Sequence, residues 1–369
     1  MAALWAVNAI ACTGSLTPRF GPGRQELSWP AYLGTSRHDA SSAETLNPDP
    51  RPLWHADVGR AIRGSPALGE SIVAVGVAER YVVLLDRATG EVLWRSRLHG
   101  TIHSGPLLDA DRLYVGTQTN PEGRAYALRL KDGKIIWKTT VGSVEAPLGL
   151  DGDALFIGTE EGLVLRLGTA GGTVAWRRRL SGAVRAAPVP TPEGIAVVTT
   201  SDTLYLLDKA TGEIRQRMHT PGTVLGSPAL DGLRLFFGTM DGHILEVDLP
   251  TLAVRWDRAA GDAVYGSPAL AGDTLYAVAR NGTLWIIPTA SPDAARSLPL
   301  DIVVTAGPTP LASGMILAAG VNGEVLLVDR ASGAVLWRAH LDGPIEQPPL
   351  VRDRQLVVVA GRGDIHTYR

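Results

Sequence analysis

Between Pro52 and Arg369, short apolar runs alternate with polar turns in a pattern that recurs eight times, four runs of strand length to a copy. The first run leads in through a proline, as in Gly64-Ser65-Pro66-Ala67-Leu68, Gly226-Ser227-Pro228-Ala229-Leu230 and Gly266-Ser267-Pro268-Ala269-Leu270. Looser versions stand at Pro106, Pro147, Pro188, Pro308 and Pro349. Proline cannot donate to a sheet ladder, so this strand is expected at a sheet edge. The second run is β-branched and aromatic, as in Leu113-Tyr114-Val115-Gly116 and Leu235-Phe236-Phe237-Gly238, and predicts a buried central strand. A turn follows, often with the glycine that a tight hairpin needs, as at Asp241-Gly242, Asn281-Gly282 and Asn322-Gly323. The third run ends in an acidic turn, Asp86-Arg87-Ala88-Thr89-Gly90, repeated at Asp208 to Gly212 and Asp329 to Gly333.

The fourth run carries a tryptophan. Trp54, Trp94, Trp137, Trp176, Trp256 and Trp337 hold that slot, with Gln216 and Ser297 in the same register, at intervals of 39 to 43 residues. A period near 40 with four short strands per copy predicts an all-β, eight-bladed β-propeller of four-stranded antiparallel blades. One four-stranded sheet cannot bury both faces unless like sheets flank it. Burying each indole removes roughly 150–250 Å² from water, a gross gain of about 4–6 kcal/mol per blade, so these tryptophans are read as blade-docking residues. The Gln216 and Ser297 copies forgo that burial, which reads as simple drift of the repeat, with looser docking there or a flank covered by a partner as the other readings. The last copy has three runs and stops, whereas Pro52 to Val58 is a fourth run with none before it. Pairing the two closes the ring and removes an open sheet edge.

Composition adds limits. The 369 residues are 45% hydrophobic, with a formal net charge of −2 and no block of like charges, so nucleic-acid binding is not expected. Arg177-Arg178-Arg179 follows a slot tryptophan and reads as a solvated outer edge. The single cysteine, Cys12, excludes a disulfide within the chain and any multi-cysteine metal site. It follows an apolar stretch ending in Ala9-Ile10-Ala11, too short to span a bilayer. That arrangement resembles the end of a bacterial lipoprotein signal, which makes Cys12 the expected lipidation site; an ordinary thiol behind a short apolar leader is the other reading. The chain divides into a signal over 1–12, a tether and cap over 13–51, and the propeller over 52–369. Within the tether, Trp29 to His38 is aromatic enough to fold back onto the ring.

The Asp-x-x-Thr/Ser-Gly-x-x-x-Trp pattern of Asp86 to Trp94 and Asp329 to Trp337, together with the Trp29-Pro30 lead-in, resembles the repeat of the pyrroloquinoline-quinone-like propellers. That family includes quinoprotein dehydrogenases and non-catalytic members such as BamB, the lipoprotein of the outer-membrane β-barrel assembly machine. Family dehydrogenases hold the quinone with a vicinal cysteine disulfide, calcium and a tryptophan floor. One cysteine cannot form that pair, and the connections between copies are short, so no cofactor is expected.

One column stands out from the scaffold. Just ahead of each proline a β-branched residue precedes a variable one: Ile62-Arg63, Ile102-His103, Val144-Glu145, Val184-Arg185, Val224-Leu225, Val264-Tyr265, Val304-Thr305 and Ile345-Glu346. The second members are expected to ring one mouth of the central channel. Arg63, His103, Glu145, Arg185, Tyr265, Thr305 and Glu346 are therefore the candidate binding residues. The pairs Arg63 with Glu346 and Arg185 with Glu145 allow a second reading, a self-satisfied belt of rim charges. His99 and His103 are read as two loop histidines, and no metal site is expected. Arg362-Gly363-Asp364 and Asn281-Gly282-Thr283 fall where hairpin turns are needed, and Trp256-Asp257 lies in the tryptophan slot.

Together the resemblance and the residues imply a non-catalytic, membrane-anchored scaffold on the periplasmic face of the outer membrane or the cell surface. Its expected partners are envelope proteins, outer-membrane assembly components among them, with the chain a monomer within their complex. The alternative is a periplasmic sensor binding a ligand at the mouth, with a quinone-dependent dehydrogenase behind it.

Overall fold

In the computed structural model of the chain, residues 44–119 and 122–369 are described, together with the strand Leu27–Trp29. Cys12, the proposed signal and most of the Trp29 to His38 segment lie outside the described residues. The remainder forms eight antiparallel sheets, each built as a meander from the axis outward. The first blade runs Ala67–Gly69, Ile72–Val77, Tyr81–Asp86 and Val92–Arg97, and the next six follow in chain order. The eighth takes Leu350–Arg352, Gln355–Ala360 and Asp364–Tyr368 from the end of the chain and Pro52–Asp57 as its outer strand.

At that closure Trp54 pairs with Thr367, His55 with His366 and Asp57 with Asp364. Arg51 and Arg369 exchange backbone hydrogen bonds of 2.8 Å, and the buried Thr367 hydroxyl bonds the Trp54 backbone on both sides. Trp54, Ala56 and Val58 pack with Leu68, Val73, Val83 and Ile365 in one cluster spanning the eighth and first blades.

Two features differ from the expected plan. The first sheet has five strands, because Leu27–Trp29 pairs antiparallel with the innermost strand, Leu27 opposite Gly69 and Trp29 opposite Leu68. That strand's outer backbone groups face the axis, and a further strand is what satisfies them. The end of the expected tether is also docked. Leu46 is buried among Leu311, Met315, Leu356 and Tyr368, and the Glu44 carbonyl accepts from the Ala312 N–H at 3.3 Å.

The repeat motif has a local cause. The Asp86 carboxylate accepts from the N–H groups of Ala88 and Thr89 and from the Thr89 hydroxyl, which in turn accepts from the Glu91 N–H. Asp208 does the same with Ala210 and Thr211, and the Thr211 N–H, with Arg215 beside it, holds its carboxyl at about 2. The glycine closing this turn takes a positive φ and lies flat on the tryptophan of the preceding blade. A Cβ on Gly133 would stand 2.7 Å from the Trp94 ring, and one on Gly90 2.6 Å from Trp54. The indole N–H groups of Trp54, Trp94, Trp137 and Trp176 donate to carbonyls of the same turns, at Arg87, Leu130, Thr169 and Lys209. Asp, Gly and Trp are thus one device for joining neighbouring blades.

Gly133→Val is expected to cost about 2–4 kcal/mol, combining the strain of a β-branched residue at φ +68° with overlap on the indole. Gly152→Ala, at φ +58° with open space around it, carries only the strain and is expected to cost about 1 kcal/mol. Equal midpoints in urea unfolding of the two variants would refute the docking role of the turn.

Candidate functional site

The β-branched residues ahead of each inner strand are all buried, and each packs against the blade before it. Val144 fills the space beside Gly116, Val184 that beside Gly158 and Val264 that beside Gly238, where an added Cβ would fall 2.2–2.3 Å from the valine methyl. Backbone bonds fix the same joint: Val144 N–H to Thr117, Val184 N–H to Thr159 and Val264 N–H to Thr239. With the β-branched side chain committed to the neighbouring blade, the residue after it is turned toward the channel.

There a cavity of about 560 Å³ opens, lined by Arg63, His103, Glu145, Arg185 and Leu225 of the expected column, with Gln347 beside them. Tyr265, Thr305 and Glu346 are not part of its lining. Thr305 buries its hydroxyl, whereas Glu346 sits at the rim, accepting from Arg63 at 3.3 Å. The second expected pair is rearranged. Arg185 donates to Glu160 at 2.8 Å and stands 3.9 Å from Glu145. Glu160 raises the Arg185 guanidinium further above its ordinary value. Glu145 instead accepts from Gln118 at 2.6 Å and faces the His103 ring at 3.7 Å.

Gln118 and Glu160 belong to a second column that spacing alone did not single out. Ala78, Glu160, Thr200, Met240, Arg280 and Val321 each donate a backbone N–H to the residue just before the β-branched position that leads into their own blade. They recur at the repeat period, two residues beyond the end of the second strand in several copies. That periodicity was the available signal. The mouth is therefore a double ring of side chains on a rigid frame, with both signs of charge at Arg63, Glu145, Glu160 and Arg185 and apolar members at Ala78, Leu225, Met240 and Val321.

A second cluster lies at the closure. His55, Asp364 and His366 bring their donor atoms within 4.8 Å of one another. His55 Nε2 is 2.7 Å from Asp364 Oδ1, and the two imidazoles lie 4.5 Å apart, centre to centre. Burial lowers His366 to about 4, with the His55 charge adding to the shift and Asp364 and Asp342 opposing it. The sequence reading did not bring these three residues together, because His55 and His366 meet only across the joined ends of the chain.

The sequence profile described as "Outer membrane protein assembly factor BamB" matches four overlapping stretches, residues 41–140, 121–215, 187–291 and 273–369. The chain belongs to the BamB family. The BamB protein of Legionella pneumophila (strain Paris) is 26% identical over 197 residues, half of this chain and half of that protein's length. Among solved structures, BamB from Moraxella catarrhalis superposes with a TM-score of 0.71 at 14% identity, over 87% of this chain and 99% of that one. The quinohemoprotein alcohol dehydrogenase of Comamonas testosteroni superposes with a TM-score of 0.76 at 12% identity, over 92% of this chain and 80% of that one. At such identities the superpositions establish the propeller and nothing about chemistry.

Proposed function

We propose that this chain is a non-catalytic scaffold of the bacterial cell envelope that acts in outer-membrane protein assembly, held to the membrane by lipid on Cys12. The observation that carries this reading is the BamB family match, which runs from residue 41 to residue 369 and leaves no part of the ring outside it. Dehydrogenase chemistry shares the fold but lacks the vicinal cysteine pair in this sequence. The double ring at the mouth is the proposed partner-contact face, since side chains on short loops over a rigid frame suit recognition of a protein surface. Its charged pairs contribute little to stability, because Arg63 and Glu346 are roughly half exposed, and such pairs are worth about 0–1 kcal/mol. Their geometry is therefore free to serve binding.

Affinity purification from membranes of a bacterium expressing the chain is expected to recover outer-membrane assembly components. Arg63→Glu combined with Arg185→Glu should reduce that recovery about tenfold or more, for a loss of at least about 1.4 kcal/mol, while the melting temperature stays within a few degrees. Cys12→Ala should move the chain to the soluble fraction. Failure of the unaltered protein to recover any such component would overturn the assembly reading. Undiminished recovery by the double variant would remove the mouth as the contact face.

A further inference from the structure

We propose that His55, Asp364 and His366 form a divalent-metal site, with Zn²⁺ its fitting occupant, that fastens the closing strand to the last blade. The three side chains come from paired positions. His55 stands opposite His366 across the ladder, and Asp364 lies two residues along the same strand as His366, so all three share one face of the eighth sheet. That face is opposite the one on which Trp54 meets the first blade. It turns toward the seventh blade, where Tyr368, two residues beyond His366, packs edge-on against Trp337 at 5.0 Å.

Two imidazole nitrogens and one carboxylate oxygen are the donor set of three-ligand zinc sites that leave a fourth position for water. Zinc with bonds of about 2.0–2.1 Å holds its ligands about 3.3 Å apart, so donors within 4.8 Å need only small side-chain rotations to close around it. His55 and Asp364 already approach to 2.7 Å across a shared proton, which a cation would displace. His55 and Asp364 are each about one-fifth exposed, leaving a path for the ion and room for a water on the fourth side. Zn²⁺ imposes no geometry of its own, which suits donors whose positions the ladder has set. Its role is mechanical. The two strands it joins come from opposite ends of the ring, and a bound ion would add a crosslink that exists only when the ring is shut.

The test is calorimetric titration of the full-length protein, first stripped with a chelator, with zinc chloride alone. The expected result is one ion per chain, with the unfolding equilibrium shifted about a hundredfold toward the folded state when free zinc exceeds Kd by a hundredfold. His55→Gln and Asp364→Asn should each weaken binding at least about tenfold. Both variants should melt near the unaltered protein in the chelator, and the zinc-induced shift in melting temperature should shrink with them. Co²⁺ bound at the same site should give a visible absorption band that both variants lose. No saturable zinc binding, or equal affinity in the variants, would overturn the proposal.

Discussion

Trp94→Ala is expected to lower the unfolding free energy by about 3–5 kcal/mol, whereas Trp337→Ala should cost less than half as much. Both residues hold the same slot in the repeat, so the sequence alone offers no reason for a difference. The reason lies in what each meets. Trp94 is buried, donates to the Leu130 carbonyl at 2.7 Å and carries Gly133 flat against its ring. Removing it leaves a cavity between two blades that neither rigid sheet can move to fill. Trp337 is half-buried and meets the edge of Tyr368 at the end of the chain, where no glycine turn covers it. Urea unfolding of the two variants, followed by tyrosine or backbone signals, measures the difference. Equal losses would mean that the indole serves its own blade and not the joint.

The repeat made the ring legible, because each structural need is stated eight times and chance agreement falls away. Closure was legible for the same reason: a missing strand at one end matched an orphan at the other. What filled the vacant tryptophan slots was not, since the compensation sits elsewhere. Opposite the exposed Gln216, the next blade places Leu252 where Gly90 and Gly212 stand in other turns, with the same N–H bond back to the aspartate and a φ of +58°. Leu249 and Leu252 are buried beside Met218, so leucine accepts backbone strain there and supplies the missing apolar volume. Beside Ser297 the glycine is kept, and Leu298 of the same strand lies against Gly333. Both joints are thus filled by side chains of this chain. Trp256 departs in another way: facing a turn without glycine, it bonds Glu246 of its own blade at 2.6 Å.

The mouth was half legible. The first column could be read because β-branched residues mark it, and the Arg63 and Glu346 pairing followed from ring closure. Glu160 took Arg185 from Glu145 because the second column enters from the hairpin of the adjacent strand, a contribution invisible when each copy is read along its length. Side-chain reach decided the matter. A forked guanidinium met Glu160 with two nitrogens, which a single distant contact to Glu145 cannot match.

A chain beginning at Gly59 is expected to lose at least about 5 kcal/mol relative to one beginning at Arg51, a loss comparable with the whole stability margin of many domains. The comparison isolates the closing strand, because both chains lack Leu46 and the Leu27–Trp29 strand. Trp54, Ala56 and Val58 would leave the cluster that joins the eighth blade to the first, and Asp364–Tyr368 would become an open edge. An open edge pairs with whatever strand is available, so the shorter chain should form concentration-dependent oligomers in ultracentrifugation while the longer one stays a monomer. A peptide spanning residues 51–58, added in excess, should occupy the vacant edge and restore the monomer with its melting temperature. The peptide arm separates closure from general damage: a truncated ring that merely misfolds has no edge of the right register to receive it. If the chain beginning at Gly59 is as stable as the longer one, the two ends of the molecule do not hold the ring together, and the inter-blade joints alone suffice.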